Sequence, residues 1–157
     1  MPDGSTLLFG AIPANLKLLT DDKRSLQSFT RTLTRRVAGG RAFTCLITND
    51  RELQRLNHDF LDHDYPTDVL SFPAADASGN LGEIAISAER AAAQAQEFGH
   101  SLVDELRILM LHGLLHLTGM DHERDHGQME RAEERWRAEF GLPGSLIARA
   151  SGLGAAR

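Results

Sequence analysis

Cysteine is nearly absent: Cys45 stands alone in the chain, which excludes an internal disulfide and any zinc site built from a cysteine cluster. Aromatic residues are sparse at 6%, with one tryptophan and one tyrosine. An excess of positive charge is also missing. The 17 Lys and Arg are outnumbered by 22 Asp and Glu, for a net charge of -5, which argues against a domain that coats nucleic acid by bulk charge. No apolar run approaches the ~18 residues that suggest a membrane span. The opening MPDGSTLLFGAIPANL carries Asp3 and no basic stretch, so it makes a poor signal peptide, and a cytoplasmic location is the expectation. Internal repeats and low-complexity linkers are lacking too. What remains is 41% hydrophobic and 25% charged over 157 residues, the composition of an ordinary globular protein. One domain over 1–157 is expected, since a chain of this size buries roughly 68–70% of its unfolded surface.

Periodicity predicts the elements. Thr6 to Ile12 and Ala42 to Thr48 read as strands. Leu26, Phe29, Leu33 and Val37 recur on one face of a helix. Asn49 or Asp50 can cap a helix through Leu61 with Leu53, Leu56 and Phe60 inward. Asp68 to Phe72 and Ile84 to Ser87 read as strands, and Ala88 to Phe98 as a helix ending at Gly99. Ser101 can cap a helix from Leu102 to Thr118 whose apolar residues cover most of its circumference, the mark of a buried helix. Gly127 to Phe140 reads as a charged last helix, and Ser151 to Arg157 as a frayed tail. The expectation is an α+β fold: a small mixed sheet of about four strands packed with four to five helices.

Chemistry concentrates in His112-Gly-Leu-Leu-His116-Leu-Thr-Gly119-Met-Asp-His122. His112 and His116 lie one helical turn apart on one face and can grip a single metal ion. A further histidine six residues on points elsewhere if the helix continues. Gly119 supplies the stop, because glycine can enter the left-handed region and turn the chain back, returning His122 to the same ion. Three neutral imidazoles leave a fourth tetrahedral position open, which separates catalytic from structural zinc. One zinc ion per chain on His112, His116 and His122 is therefore expected. The pattern H-x-x-x-H-x-x-G-x-x-H is that of the metzincin peptidases, but those carry glutamate after the first histidine as general base. Gly113 occupies that place and cannot accept a proton. Met120 and Met129 lie too close to the motif to form a Met-turn.

HGLLHLTGMDH resembles the H-G-x-L-H-L-x-G-x-D-H signature of the YbeY family of bacterial rRNA-processing endoribonucleases. Leu56-Asn57 followed by Asp64-Tyr-Pro-Thr-Asp-Val-Leu-Ser-Phe-Pro73 resembles that family's L-N…D-x-P-T-D-V-L-S-F-P block, and Leu81-Gly-Glu-Ile-Ala-Ile-Ser87 its L-G-D/E-I-x-I-S strand. The resemblance runs from about Ala42 to Phe140. It implies a zincin-like metal helix, zinc on the three histidines, a zinc-dependent single-strand-specific endoribonuclease, and a role in late 16S rRNA 3′-end maturation and ribosome quality control. Its partners would be ribosomal RNA and the small ribosomal subunit. One departure is visible: Leu61 stands where many members carry an arginine that engages RNA. Two rival readings are a ribosome-assembly factor with a structural metal and, disfavoured by Gly113, a metallopeptidase.

The general base is not identified by the motif. Asp121 can orient a ligand imidazole or take a proton, or serve the local turn. Glu105, seven residues before His112, can back the metal site or lie on the surface. His58, His63, His100 and His126 lack partner spacing and are expected to be exposed, whereas Cys45 reads as core. Arg51 and Arg55 can contact phosphate or be solvated. Seven basic residues between Lys17 and Arg41 face only Asp21 and Asp22, a patch suited to an RNA backbone, with Arg31 and Arg35 on one helix face.

Overall fold

Strands β1 (Thr6–Phe9) and β2 (Thr44–Thr48) run parallel, so the chain between them must cross over, and α1 (Thr20–Arg36) is that crossover. The computed structural model describes residues 4–16, 18–61, 67–74 and 79–144, and of residue 61 the backbone alone. Lys17, His63, the Asp64–Pro66 part of the motif block and the tail from 151 lie outside the described residues. Helix α2 (Asp50–Leu61) follows β2, and strands β3 (Val69–Pro73) and β4 (Gly82–Ser87) pair antiparallel. Then come α3 (Ala88–Phe98), α4 (Leu102–Leu117) and α5 (Gln128–Phe140). The sheet order is β1-β2-β4-β3, with β2 and β4 parallel. Among the described residues, five helices on a mixed four-stranded sheet make the α+β fold expected from the periodicity.

Alternation along the strands divides the two faces. Cys45, Ile47, Ile84 and Ile86 enter the main core with Leu26 and Leu33 of α1 and the leucines of α4. Leu70 and Ala85 face the other way and are covered by Leu53 of α2. Helix α4 is buried nearly all round, including Leu106, Leu109, Leu111 and Leu114. Truncating one such leucine to alanine costs about 2–5 kcal/mol. The caps follow the chemistry of their residues. Asn49 Oδ1 accepts the Glu52 N–H at 2.8 Å, so Asn49, not Asp50, caps α2. Ser101 Oγ accepts the Asp104 N–H, and Gly99 closes α3 at φ 75°.

Two expectations need correction. Phe60 does not point inward: it is 67% exposed, with its ring edge-on to Phe72 at 6.0 Å. Leu53 and Leu56 already satisfy the sheet, and Phe60 borders an open groove beside Leu8 and Leu46. His100 is not a solvated histidine. Its side chain is only 9% exposed, and Nε2 donates to the fully buried Glu105 Oε1 at 2.6 Å. His58 and His126 are exposed as expected. Among the described residues no helix is long and apolar enough to cross a membrane. Cys45 is fully buried, and burial pushes its thiol up to about 12.

Candidate metal centre

The floor of the site is set by a glycine. A Cβ on Gly113 would stand 2.8 Å from Ile84 Cγ2, closer than packing permits, and 3.2 Å from Ser71 Oγ, a tight contact. Glycine lets the middle of α4 settle onto β3 and β4, where Ser71 Oγ donates to the Gly113 carbonyl at 3.0 Å. His112 and His116 flank this contact on consecutive turns, and their ring centroids are 4.9 Å apart.

Helix α4 then ends by a paired-bond turn. The Met120 N–H donates to the Leu115 carbonyl at 3.2 Å and the Gly119 N–H to the His116 carbonyl at 3.0 Å. Gly119 adopts φ 104°. The reversal carries His122 back to 5.6 Å, ring to ring, from both other histidines. One ligand atom from each of His112, His116 and His122 lies within 4.8 Å of the others. The sequence placed these three together, and the structure brings them together.

Two of the rings are held by their far nitrogens. His112 Nδ1 donates to Glu133 Oε2 at 2.5 Å, and His116 Nδ1 donates to the Met120 carbonyl at 3.0 Å. Such bonds fix the tautomer and leave Nε2 of each ring bare for a metal. Burial first, and then the neighbouring His112 and His122 rings, push His116 below the ordinary histidine range, which favours the neutral, ligating form. Three imidazoles with two tautomers fixed fit a borderline cation of the zinc kind, bound by nitrogen with a position left open.

Glu133 was not legible from motif spacing. It lies in α5, 21 residues from His112, and its carboxylate is buried at 0% exposure. Its signal was a glutamate in the apolar stripe of α5, four residues after the buried Met129. Glu105, by contrast, is paired with His100 at 2.6 Å. Asp121 serves the turn: Oδ1 accepts the Glu123 N–H at 3.1 Å and Oδ2 lies 3.6 Å from Arg124 Nε. Arg55 is held by Glu52 and by Asp59, which raises its pKa, so its charge is engaged within α2. Leu61 closes α2, and its side chain is outside the described atoms.

Two results are expected here. Gly119→Val should weaken zinc binding without touching a ligand. Nothing lies within 4 Å of the added Cβ, so the penalty is the positive φ alone, about 1–3 kcal/mol for a β-branched residue. Zinc titration checks this, and an unchanged affinity in a folded variant would refute the turn's role. The second concerns acid. His116 has a lowered folded-state pKa, so the unfolded chain takes up its proton first. The stability of metal-free protein should hold above about pH 6.5 and fall as pH drops towards the folded value. Urea midpoints against pH, for wild type and His116→Gln, measure it; the variant should lose that part of the slope.

An α+β domain that displays three histidines on one buried helix and its terminating turn, close enough together to hold one metal ion, defines the class of fold. The described family model "Endoribonuclease YbeY" matches residues 17–141. A protein of Solibacter usitatus named endoribonuclease YbeY is 51% identical over 148 residues, covering 94% of this chain and 96% of the relative. One of Koribacter versatilis with the same name is 50% identical over 134 residues, covering 85% and 87%. The solution structure of a Thermotoga maritima protein superposes with a TM-score of 0.51 at 25% identity, covering 86% of this chain and 91% of that one. The chain belongs to the YbeY family.

Proposed function

We propose that this protein is a zinc-dependent endoribonuclease specific for single-stranded RNA. It acts in late 16S rRNA 3′-end maturation and ribosome quality control, as a single cytoplasmic domain with one zinc per chain. The observation that carries the reading is the convergence of His112, His116 and His122 in a chain of this family. These three residues would hold the ion, which when bound supplies a Lewis acid beside a phosphodiester.

The chain's own residues prepare that site. Glu133 and the Met120 carbonyl hold the Nδ1 protons of His112 and His116, so both Nε2 atoms stay unprotonated and aimed. His116, kept neutral by burial, adds no positive charge of its own. His122 is exposed, so the site opens to solvent on that side and can admit a strand. The buried His112 marks the closed side.

The test combines metal analysis of the purified protein with cleavage of single-stranded and duplex 16S 3′-end RNA, in wild type and a triple alanine variant of the histidines. One equivalent of zinc and cleavage of the single strand alone are expected. Tight binding to the small ribosomal subunit with no cleavage under any metal would replace this reading by that of an assembly factor.

A further inference from the structure

Away from the three histidines, the C-terminal half of α5 meets α1 through Phe29, edge-on to Phe140 at 5.4 Å, and through Arg36. Arg31 and Arg35, one turn apart on α1, are exposed, and neither has a carboxylate within ion-pairing distance among the described residues. Arg135 of α5 is also exposed, and its guanidinium lies 5.3 Å from the Trp136 ring centroid. Trp136 stacks on Phe140 at 5.5 Å with 17° between ring planes, and Arg36 sits 5.7 Å from both rings while reaching Glu139 at 3.7 Å. Beside them opens a depression of about 370 Å³ lined by Ser25, Ser28, Thr32 and Arg107.

We propose that this α1–α5 face is a second RNA-contact surface, on which Arg31, Arg35 and Arg135 bind the phosphates of a single strand alongside the Trp136–Phe140 stack. The inference rests on the endoribonuclease reading and extends it from the cleavage point to the rest of the substrate. The chain carries a net charge of -5, so its overall field repels a polyanion. Arg31 and Arg35 on α1 and Arg135 on α5, exposed and without an ion pair among the described residues, answer that deficit. Guanidinium presents a planar fork of donors matched to phosphate oxygens, and the hydroxyls of the depression add neutral donors. Single-strand tracks combine positive charge along the backbone with aromatic side chains beside it. One element joins the two places: α5 holds His112 through Glu133, and Trp136 and Phe140 follow three and seven residues later, about 4.5 and 10.5 Å along the helix axis.

Trp136 is the only tryptophan, so its emission reports on this face in the intact protein. The experiment titrates zinc-loaded protein with a fluorescein-labelled, cleavage-resistant 2′-O-methyl single strand of about 20 nucleotides, reading RNA anisotropy and Trp136 emission. Wild type, Arg31→Gln and the triple Arg31→Gln/Arg35→Gln/Arg135→Gln variant are compared. Binding should shift Trp136 emission in wild type. The triple variant should bind about tenfold more weakly, and the single variant about two- to threefold. With three fewer phosphate contacts, the slope of log affinity against log salt should fall by about 2. Cleavage of a hexanucleotide should be unchanged, because none of the three arginines belongs to the metal centre. Equal affinity and salt slope in wild type and variants, with wild type still cleaving RNA, would overturn this inference alone. A wild type that neither binds nor cleaves RNA would overturn the endoribonuclease reading and this surface with it.

Discussion

His112→Ala protein should leave purification without its metal and should not cleave RNA. Loss of a residue that merely orients a ligand already costs 10–100-fold in metal affinity as an order of magnitude, so loss of a ligand should exceed about a hundredfold. The effect on the fold should be smaller. His112 is 7% exposed, and its removal takes from Glu133 the imidazole that donates to Oε2. A buried acceptor deprived of a donor costs about 1–3 kcal/mol, within the stability of a domain of this size. Zinc content by elemental analysis and cleavage on a denaturing gel, with a thermal melt as control, make the measurement. A folded His112→Ala protein that retains one zinc would remove this histidine from the site. Glu133→Gln offers a graded companion: its amide can still accept the Nδ1 proton through oxygen, so zinc affinity should fall by less than in His112→Ala.

Installing the peptidase base should break the protein, not convert it. In Gly113→Glu the new Cβ meets Ile84 Cγ2 at 2.8 Å, on a helix wedged against β3 and β4. Overpacking of this kind costs about 1–3 kcal/mol, and a carboxylate carried into an apolar contact adds a desolvation penalty of comparable or greater size. Gly113→Ala separates the two effects. It keeps the clash, drops the charge, and recovers up to about 1 kcal/mol of helix propensity. Urea midpoints should fall in the order wild type, Gly113→Ala, Gly113→Glu, and neither variant should cleave a peptide library. An alanine variant as stable as wild type would show that Ile84 yields and that the helix–sheet approach sets no limit there.

These residues also show what could be read in advance. The span of α4 and the return of His122 were legible because each follows from local chemistry: an apolar helix, a serine cap and a glycine that ends it. Glu133 was not legible, because its role depends on α5 crossing α4, a tertiary fact that no 21-residue spacing encodes. His100 and Glu105 misled for a related reason. Each alone reads as a surface group, and only the α3–α4 corner makes them a buried pair. Phe60 misled in the opposite sense: helical period put it on the inward face, but α2 leaves that end beside an open groove. Gly113 was read as a missing base, while its positive role, the close approach to Ile84, needed the sheet.

The burial of Cys45 has a practical side. With its thiol pushed up to about 12, only about one molecule in 10⁵ carries a thiolate there at pH 7. The side chain is fully enclosed in β2, so maleimides and peroxide find neither charge nor access. The native protein is in effect blank to thiol reagents. A cysteine introduced at an exposed position such as Arg31 or Arg35 becomes the sole reactive group, and a dye or crosslinker placed there can chart where a strand runs over α1 without first deleting the natural cysteine.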